Sequence, residues 1–327
     1  MKPFAELPLL TPMYSTYHRQ SAATSLFVSN PSIRNWYLNS VMILTCRTKF
    51  LDGYTSPMIG IKDSAWGDNP YFITHVIPFP FLKGNLSRFI RNAIDEGYYL
   101  GFEQVDDYYI KGKSWYKERH FAHNGLLCGY NQEDKTYCLF AYDSNWILRK
   151  FWTPQIGFYN GIKSMYKQNV FGEFWAIKPK KSNVLFSSPK ALNKIVEYLK
   201  PTVENGVVSG IVVHDYIAKY LDKLLDGSIP YERMDRRVFR LIRDHKTVML
   251  ERIQCIESQL SLSGEISRDY AFIVKESENM HMLYASYRMK RRDSLLTDIR
   301  KKLFLINEKE NELLKNLLKE TRGKPVK

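Results

Sequence analysis

Cysteine is scarce in this sequence: there are 4 residues among 327, and none of them forms a CxxC pair. Structural zinc sites and disulfide frameworks both need characteristically spaced cysteines, so neither is indicated. His214, His245 and His281 show no HxxxH or HExxH spacing, so these histidines do not predict a metal site either. We therefore expect neither a metal nor a resident cofactor.

Long apolar runs are also missing. No run approaches the ~18–20 residues that a membrane span needs, and the first 15 residues lack the charged and apolar regions of a signal peptide. We therefore expect a cytoplasmic protein without membrane association. Glycine (17) and proline (14) are infrequent while 44% of the residues are hydrophobic, a composition typical of packed globular proteins.

Negative charge is the minority sign, because 48 Lys+Arg outnumber 34 Asp+Glu and give a formal net charge of +14. Such an excess favours acidic partners through long-range attraction. No RNP signature, zinc finger or homeodomain-like pattern accompanies it, so nucleic acid is permitted but not indicated.

The pattern of elements predicts an α+β fold of two domains, since single cores usually stop growing near ~250–300 residues. Over 1–180 we expect helices followed by a mostly antiparallel sheet, with helices at 85–96 and 154–167. Over 181–327 the patterns are helical almost throughout, which predicts an all-α domain.

A basic stripe is expected on the third helix of the second domain, predicted from Tyr231 to about Leu260. Its members recur at the i, i+3, i+4, i+7 spacing of one helix face: Arg233, Arg236, Arg237 and Arg240. Guanidinium groups bind carboxylates and phosphates in bidentate fashion, so the stripe is a candidate partner-binding surface. The alternative is an exposed face partly neutralised by Glu232 and Asp235.

The clearest chemical feature is a predicted β-hairpin that carries His123 on one strand and ends the next in Asp143. A turn centred between Gln132 and Glu133 would place position 123 opposite 142, one residue from Asp143. A carboxylate that orients an imidazole forms the base half of a catalytic triad. The alternative is a structural histidine and a strand-end aspartate.

The neighbouring pair Asp106-Asp107 is a weaker candidate. Adjacent strand residues point to opposite faces, so these two carboxylates are not expected to act together, and we interpret them as solvated loop acids.

The segments DEGYYLGFEQVDDYYI, HNGLLCGYN and AYD, in this order, resemble the N-terminal domain of the butirosin biosynthesis protein H family over about residues 14–178. The resemblance implies a papain-like fold related to the peptidase domains of bacteriocin exporters. It also implies a role in nonribosomal peptide or polyketide assembly: acyl transfer from an acyl or peptidyl carrier protein, whose phosphopantetheine arm bears the acyl group, to an amine.

By this resemblance His123 is the general base, Asp143 is its orienting carboxylate, and the nucleophilic cysteine should stand at the head of the first helix. His18 occupies that region and no cysteine does. Three alternatives remain: His18 replaces the nucleophile, Ser21 serves in its place, or Cys46 is brought in from another element.

Two hypotheses therefore remain open. The first is an accessory or tailoring protein that transfers a carrier-bound acyl group, or binds it without covalent chemistry where the nucleophile is absent. The second is a non-catalytic module that docks an acidic protein or nucleic acid through its basic helices.

Overall fold

The computed structural model describes residues 2–53, 56–64, 66–82 and 84–324. Its strands are β1 (Phe4–Glu6), β2 (Leu44–Arg47), β3 (Gly60–Ile61), β4 (Phe72–Pro78), β5 (Tyr99–Asp106), β6 (Ala122–Asn131), β7 (Thr136–Tyr142), β8 (Leu148–Pro154), β9 (Glu173–Pro179), β10 (Thr202–Glu204) and β11 (Val207–Ser209). Its α-helices are α1 (His18–Ser25), α2 (Ile33–Ser40), α3 (Leu86–Asp95), α4 (Gln155–Lys167), α5 (Ser188–Leu199), α6 (Val213–Leu225), α7 (Val238–Gln259), α8 (Glu265–Lys290) and α9 (Asp293–Glu320). The predicted mixture of helices with antiparallel sheet is confirmed.

The chain divides into two compact units, which are discontinuous in sequence. The first contains Met1–Ile33 and Ser64–Asn183, and the second contains Arg34–Asp63 and Val184–Lys327. The sequence interpretation assigned all of 1–180 to one domain, whereas the segment 34–63 lies in the second unit. The reason is pairing: β2, from this segment, forms a ladder with β11.

In the first unit a seven-stranded antiparallel sheet has the order β4-β9-β5-β6-β7-β8, with β1 added beside β6. The helices α3 and α4 bury their apolar side chains against it. Ile90 and Ile94 of α3 and Phe158 of α4 join the same core as Leu100 and Phe102 of β5. This core supports the ends of β5 and β6, where the candidate site lies.

The second unit is not all-helical as predicted. It contains a four-stranded sheet of order β10-β11-β2-β3 in addition to its helices. The β10–β11 hairpin turns at Asn205-Gly206, and both residues have positive φ (49° and 72°). This conformation belongs to two-residue hairpin turns, for which Asn-Gly is the preferred sequence.

None of the described helices combines the length and the apolar character that a membrane span requires.

A close approach between α4 and the segment after β5 gives a first prediction. A Cβ added at Gly157 would collide with the backbone carbonyl oxygen of Tyr109. Gly157→Ala should therefore lower the free energy of unfolding by about 1–3 kcal/mol, although alanine is the better helix former by ~1 kcal/mol. Urea unfolding measures this change. Lys163→Ala, at an exposed position of the same helix, is the control and should stay within about 0.5 kcal/mol of wild type.

Candidate active site

The site is built around His123, near the start of β6. Its imidazole Nδ1 lies 2.9 Å from Oδ2 of Asp107, in the short 3-10 turn that follows β5. The β5–β6 ladder pairs Val105 with His123, which brings the turn beside the imidazole. Asp107 is almost completely buried, whereas the His123 side chain retains 22% exposure. The orienting carboxylate is therefore Asp107.

Asp143 does not take the predicted role. Its Oδ1 accepts the backbone N–H groups of Asn145 and Ile147 at 2.8 and 2.9 Å, and its Oδ2 binds Arg149 at 2.5 Å. Burial alone would raise the pKa of this carboxyl, but these amides and Arg149 outweigh burial and hold the pKa below its usual value. The prediction was wrong because β7 ends at Tyr142 and the chain turns sharply around Asp143.

His18 is the first residue of α1, and the structure places it beside His123. The two ring centroids are 4.7 Å apart and the rings are perpendicular. The backbone N–H of Tyr142 lies 3.3 Å from Nε2 of His18 and donates to it, so in the neutral ring the proton is on Nδ1. Burial, followed by the charges of Lys113 and His123, lowers the pKa of His18 well below its usual value.

Lys113 is a third member that the sequence did not reveal. Its Nζ lies 3.2 Å from Nδ1 of His123 and 3.6 Å from Oδ1 of Asp107, with only 2% of the side chain exposed. Burial lowers the pKa of Lys113, although Asp107 and Asp143 act in the opposite direction. The His123 Nδ1 can donate to Asp107 or accept from the ammonium, but it cannot do both at once.

The interpretation of Asp106 and Asp107 as solvated acids was wrong, because both carboxylates are buried. Asp106 accepts Ser164 Oγ at 2.6 Å and Nδ1 of His120 at 2.7 Å, along with the backbone N–H groups of Tyr108 and Phe121. Burial raises the pKa of Asp106, yet these hydrogen bonds outweigh it and keep the pKa below its usual value. The two neighbouring carboxylates therefore bind different histidines.

The other two candidate nucleophiles are both buried. Cys46 is a buried residue of β2 in the second unit, and burial raises the pKa of its thiol to about 12. Ser21, one turn into α1, is buried and donates its hydroxyl to the carbonyl of Tyr17 at 2.9 Å. Among the described residues, the contacts of His123 include no cysteine or serine side chain.

The predicted arginine stripe is not a continuous helix face, because α7 begins only at Val238. Arg233 ends a 3-10 turn, Arg236 and Arg237 precede the helix, and Arg237 is bound to Asp235 at 2.8 Å. Arg240 is in α7. Burial, and then the charges of Arg236 and Arg240, lower the pKa of Arg288, near the end of α8.

No metal-ligand cluster of three or more His, Cys, Asp or Glu residues occurs within the part of the chain that the structure describes. No protein-family model matches this chain, and no significantly similar curated protein was found.

The lowered pKa of His18 predicts a stability change with pH. Below about pH 6.5 the unfolded chain binds a proton that the folded chain resists, so stability is lost as the pH falls. Between that pH and the folded-state pKa, wild type should lose about 1.4 kcal/mol per pH unit relative to His18→Gln. Urea unfolding from pH 7.5 to 5 measures the difference. Parallel curves for the two proteins would contradict the assignment of a buried, neutral His18.

Proposed function

We propose that the first unit is a papain-like acyltransferase domain, similar to the butirosin biosynthesis protein H family, that works without a covalent acyl-enzyme. Its substrate is the thioester of an acyl or peptidyl carrier protein, and its acceptor is an amine. The protein then serves as a cytoplasmic accessory or tailoring protein in nonribosomal peptide or polyketide metabolism.

One observation carries this proposal: a partly exposed imidazole is held by a buried carboxylate where the described contacts include no thiol or hydroxyl nucleophile. In the tautomer whose Nδ1–H donates to Asp107, Nε2 of His123 is the atom that can accept a proton from substrate. Such an oriented histidine suits general-base catalysis on a nucleophile that the substrate itself provides.

The proposed step is direct aminolysis. The amine nitrogen attacks the thioester carbonyl carbon while Nε2 of His123 accepts the proton released from that nitrogen. The C–S bond then breaks, and the imidazolium returns the proton to the departing thiolate, so the products are an amide and a free thiol. Asp107 stabilises the imidazolium during the step, as the carboxylate of a triad does. His18 packs edge-on against the base and keeps its ring in place.

The test uses an acyl N-acetylcysteamine thioester with a primary amine, and amide formation is followed by mass spectrometry. We expect His123→Gln to lower the rate about 10²-fold or more, because general-base catalysis contributes ~10²–10⁴-fold. Asp107→Asn should also lower the rate strongly, since it removes the charge that stabilises the imidazolium.

His120→Gln is the matched control, because His120 also pairs with a buried carboxylate in the same segment. It should keep most of the rate. The intact protein should gain no acyl mass during turnover. A wild-type rate equal to that in buffer, or an equal loss in His120→Gln, would contradict the proposal; a stable acyl adduct would contradict direct transfer.

A second candidate function, docking of an acidic partner by the second unit, is favoured by one observation. Burial is the main cause that lowers the pKa of Arg288, and the nearby charges of Arg236 and Arg240 act in the same direction. Neighbouring positive charges attract an anionic surface by long-range electrostatics. The acidic face of a carrier protein is such a surface.

Charge reversal tests this second function. Arg236→Glu combined with Arg240→Glu should weaken binding of a purified apo acyl carrier protein about tenfold or more, measured by calorimetry at low salt. Lys319→Glu, in the last turn of α9, is the control with an equal change of charge per site. Unchanged affinity in the double variant, or tighter binding of a single-stranded RNA than of the carrier, would contradict carrier docking.

A further inference from the structure

A continuous row of aromatic rings leads away from His123. The ring centroid of Phe121 lies 5.3 Å from that of the imidazole, the Trp115 ring is 6.4 Å from Phe121, and the Trp146 ring is 6.2 Å from Trp115. We call Phe121, Trp115 and Trp146 the aromatic track. It begins at the candidate base and ends at an exposed tryptophan.

The outer end of the aromatic track has an unfavourable backbone conformation. Trp146 is 43% exposed and has a left-handed backbone with φ of 60°, which bulky residues rarely adopt. The turn that holds it depends on Asp143, whose backbone carbonyl accepts the N–H of Trp146 at 3.0 Å. Ser114 Oγ donates to the same carbonyl at 3.1 Å and so ties this turn to the loop that carries Trp115. Bulky residues in such a conformation are found at ligand-binding positions among others, and here the turn keeps the Trp146 ring beside Trp115.

A cation completes the surface. The Arg119 guanidinium lies over the rings of Trp115 and Phe121, at 5.0 and 5.6 Å from their centroids. Within the described ranges Arg119 forms no ion pair, so no carboxylate competes with the two rings for its guanidinium group. Rings and a guanidinium together favour an aromatic ligand, because a further ring gains both edge-to-face stacking and cation–π attraction.

We propose that the aromatic track binds the acyl group of the substrate and selects aromatic acyl groups. The inference rests on the proposed function for the identity of the ligand as an acyl group. An acyl carbonyl placed at His123 would direct its side chain along Phe121 and Trp115 toward Trp146. This gives Asp143 a role that differs from the predicted one: it positions Trp146 for binding.

The test measures binding alone, so its result does not depend on turnover. The probe is 3-phenylpropionamide, an unreactive stand-in for an aromatic acyl group, with 3-cyclohexylpropionamide and acetamide as comparisons, followed by ligand-observed NMR titration. We expect the phenyl compound to bind several-fold more tightly than the cyclohexyl compound, and acetamide to show no saturable binding. His123→Gln should leave this order unchanged.

Trp115→Ala and Trp146→Ala should each weaken binding of the phenyl probe roughly three- to tenfold. Trp152→Ala is the matched control, because Trp152 is similarly exposed (38%) but packs against Phe4, beside the far end of β6. Trp146→Gly tests whether weaker binding comes from misfolding. Glycine adopts the left-handed backbone without strain, so this variant should keep its stability while losing the ring.

Three results would overturn the inference: no saturable binding of the phenyl probe by wild type, equal affinity for the cyclohexyl compound, or equal weakening by Trp152→Ala. Failure of acyl transfer with this binding intact would instead contradict only the proposed reaction. Failure of this binding with acyl transfer intact would remove only the aromatic selectivity.

Discussion

Two adjacent buried carboxylates at the end of β5 determine most of what surrounds the candidate site. Asp106 is the last residue of β5 and Asp107 the first of the 3-10 turn, and the two carboxylates bind different histidines. Asp106 binds Ser164 of α4 and the backbone after the loop, which fixes where residues 107–121 leave and rejoin the sheet. Asp107 binds His123 on the other side. Removing either carboxylate would leave buried donors without acceptors, which costs more than a hydrogen bond normally contributes.

Each of the two units contains a buried lysine, and the two lysines have different partners. Lys246 and Glu310 are both fully buried and lie 2.5 Å apart; Glu310 also accepts hydrogen bonds from the hydroxyls of Tyr198 and Tyr270. That pair is sealed among helices, and the lysine there meets a carboxylate directly. Lys113 instead lies nearer to the imidazole of His123 than to Asp107, and the imidazole is partly exposed. The ammonium of Lys113 and the carboxylate of Asp107 thus both face Nδ1 of His123.

The sequence predicted the helices and strands more accurately than the side-chain contacts between them. Helices were predicted at 85–96, where the apolar periodicity is strong, and at 154–167, and α3 and α4 lie within those ranges. The β10–β11 hairpin was missed although Glu204-Asn205-Gly206-Val207 contains the Asn-Gly turn signal, since the helical patterns around it dominated the interpretation. Placing His18 beside His123 depended on the family resemblance and not on spacing. Lys113 had no signal, because lysine is almost never buried and nothing in its loop sequence marks it.

The exchange of Asp143 for Asp107 follows from where β7 ends. Beyond the bulge between Leu127 and Gly129, Leu126 pairs with Phe140, so a longer ladder would place Asp143 opposite His123, but β7 ends at Tyr142. On the other side of β6, the shift between Phe102 and Val105 in β5 brings the 3-10 turn at Asp107 to the imidazole. Asp107 follows β5 and Asp143 follows β7, and both strands are neighbours of β6, which carries His123. Asp107 makes the contact because its side chain has no backbone turn to support, whereas the oxygens of Asp143 are occupied by Asn145, Ile147 and Arg149. A carboxylate committed to holding a turn cannot also reorient to stabilise an imidazolium, so any base catalysis at His123 has to depend on Asp107.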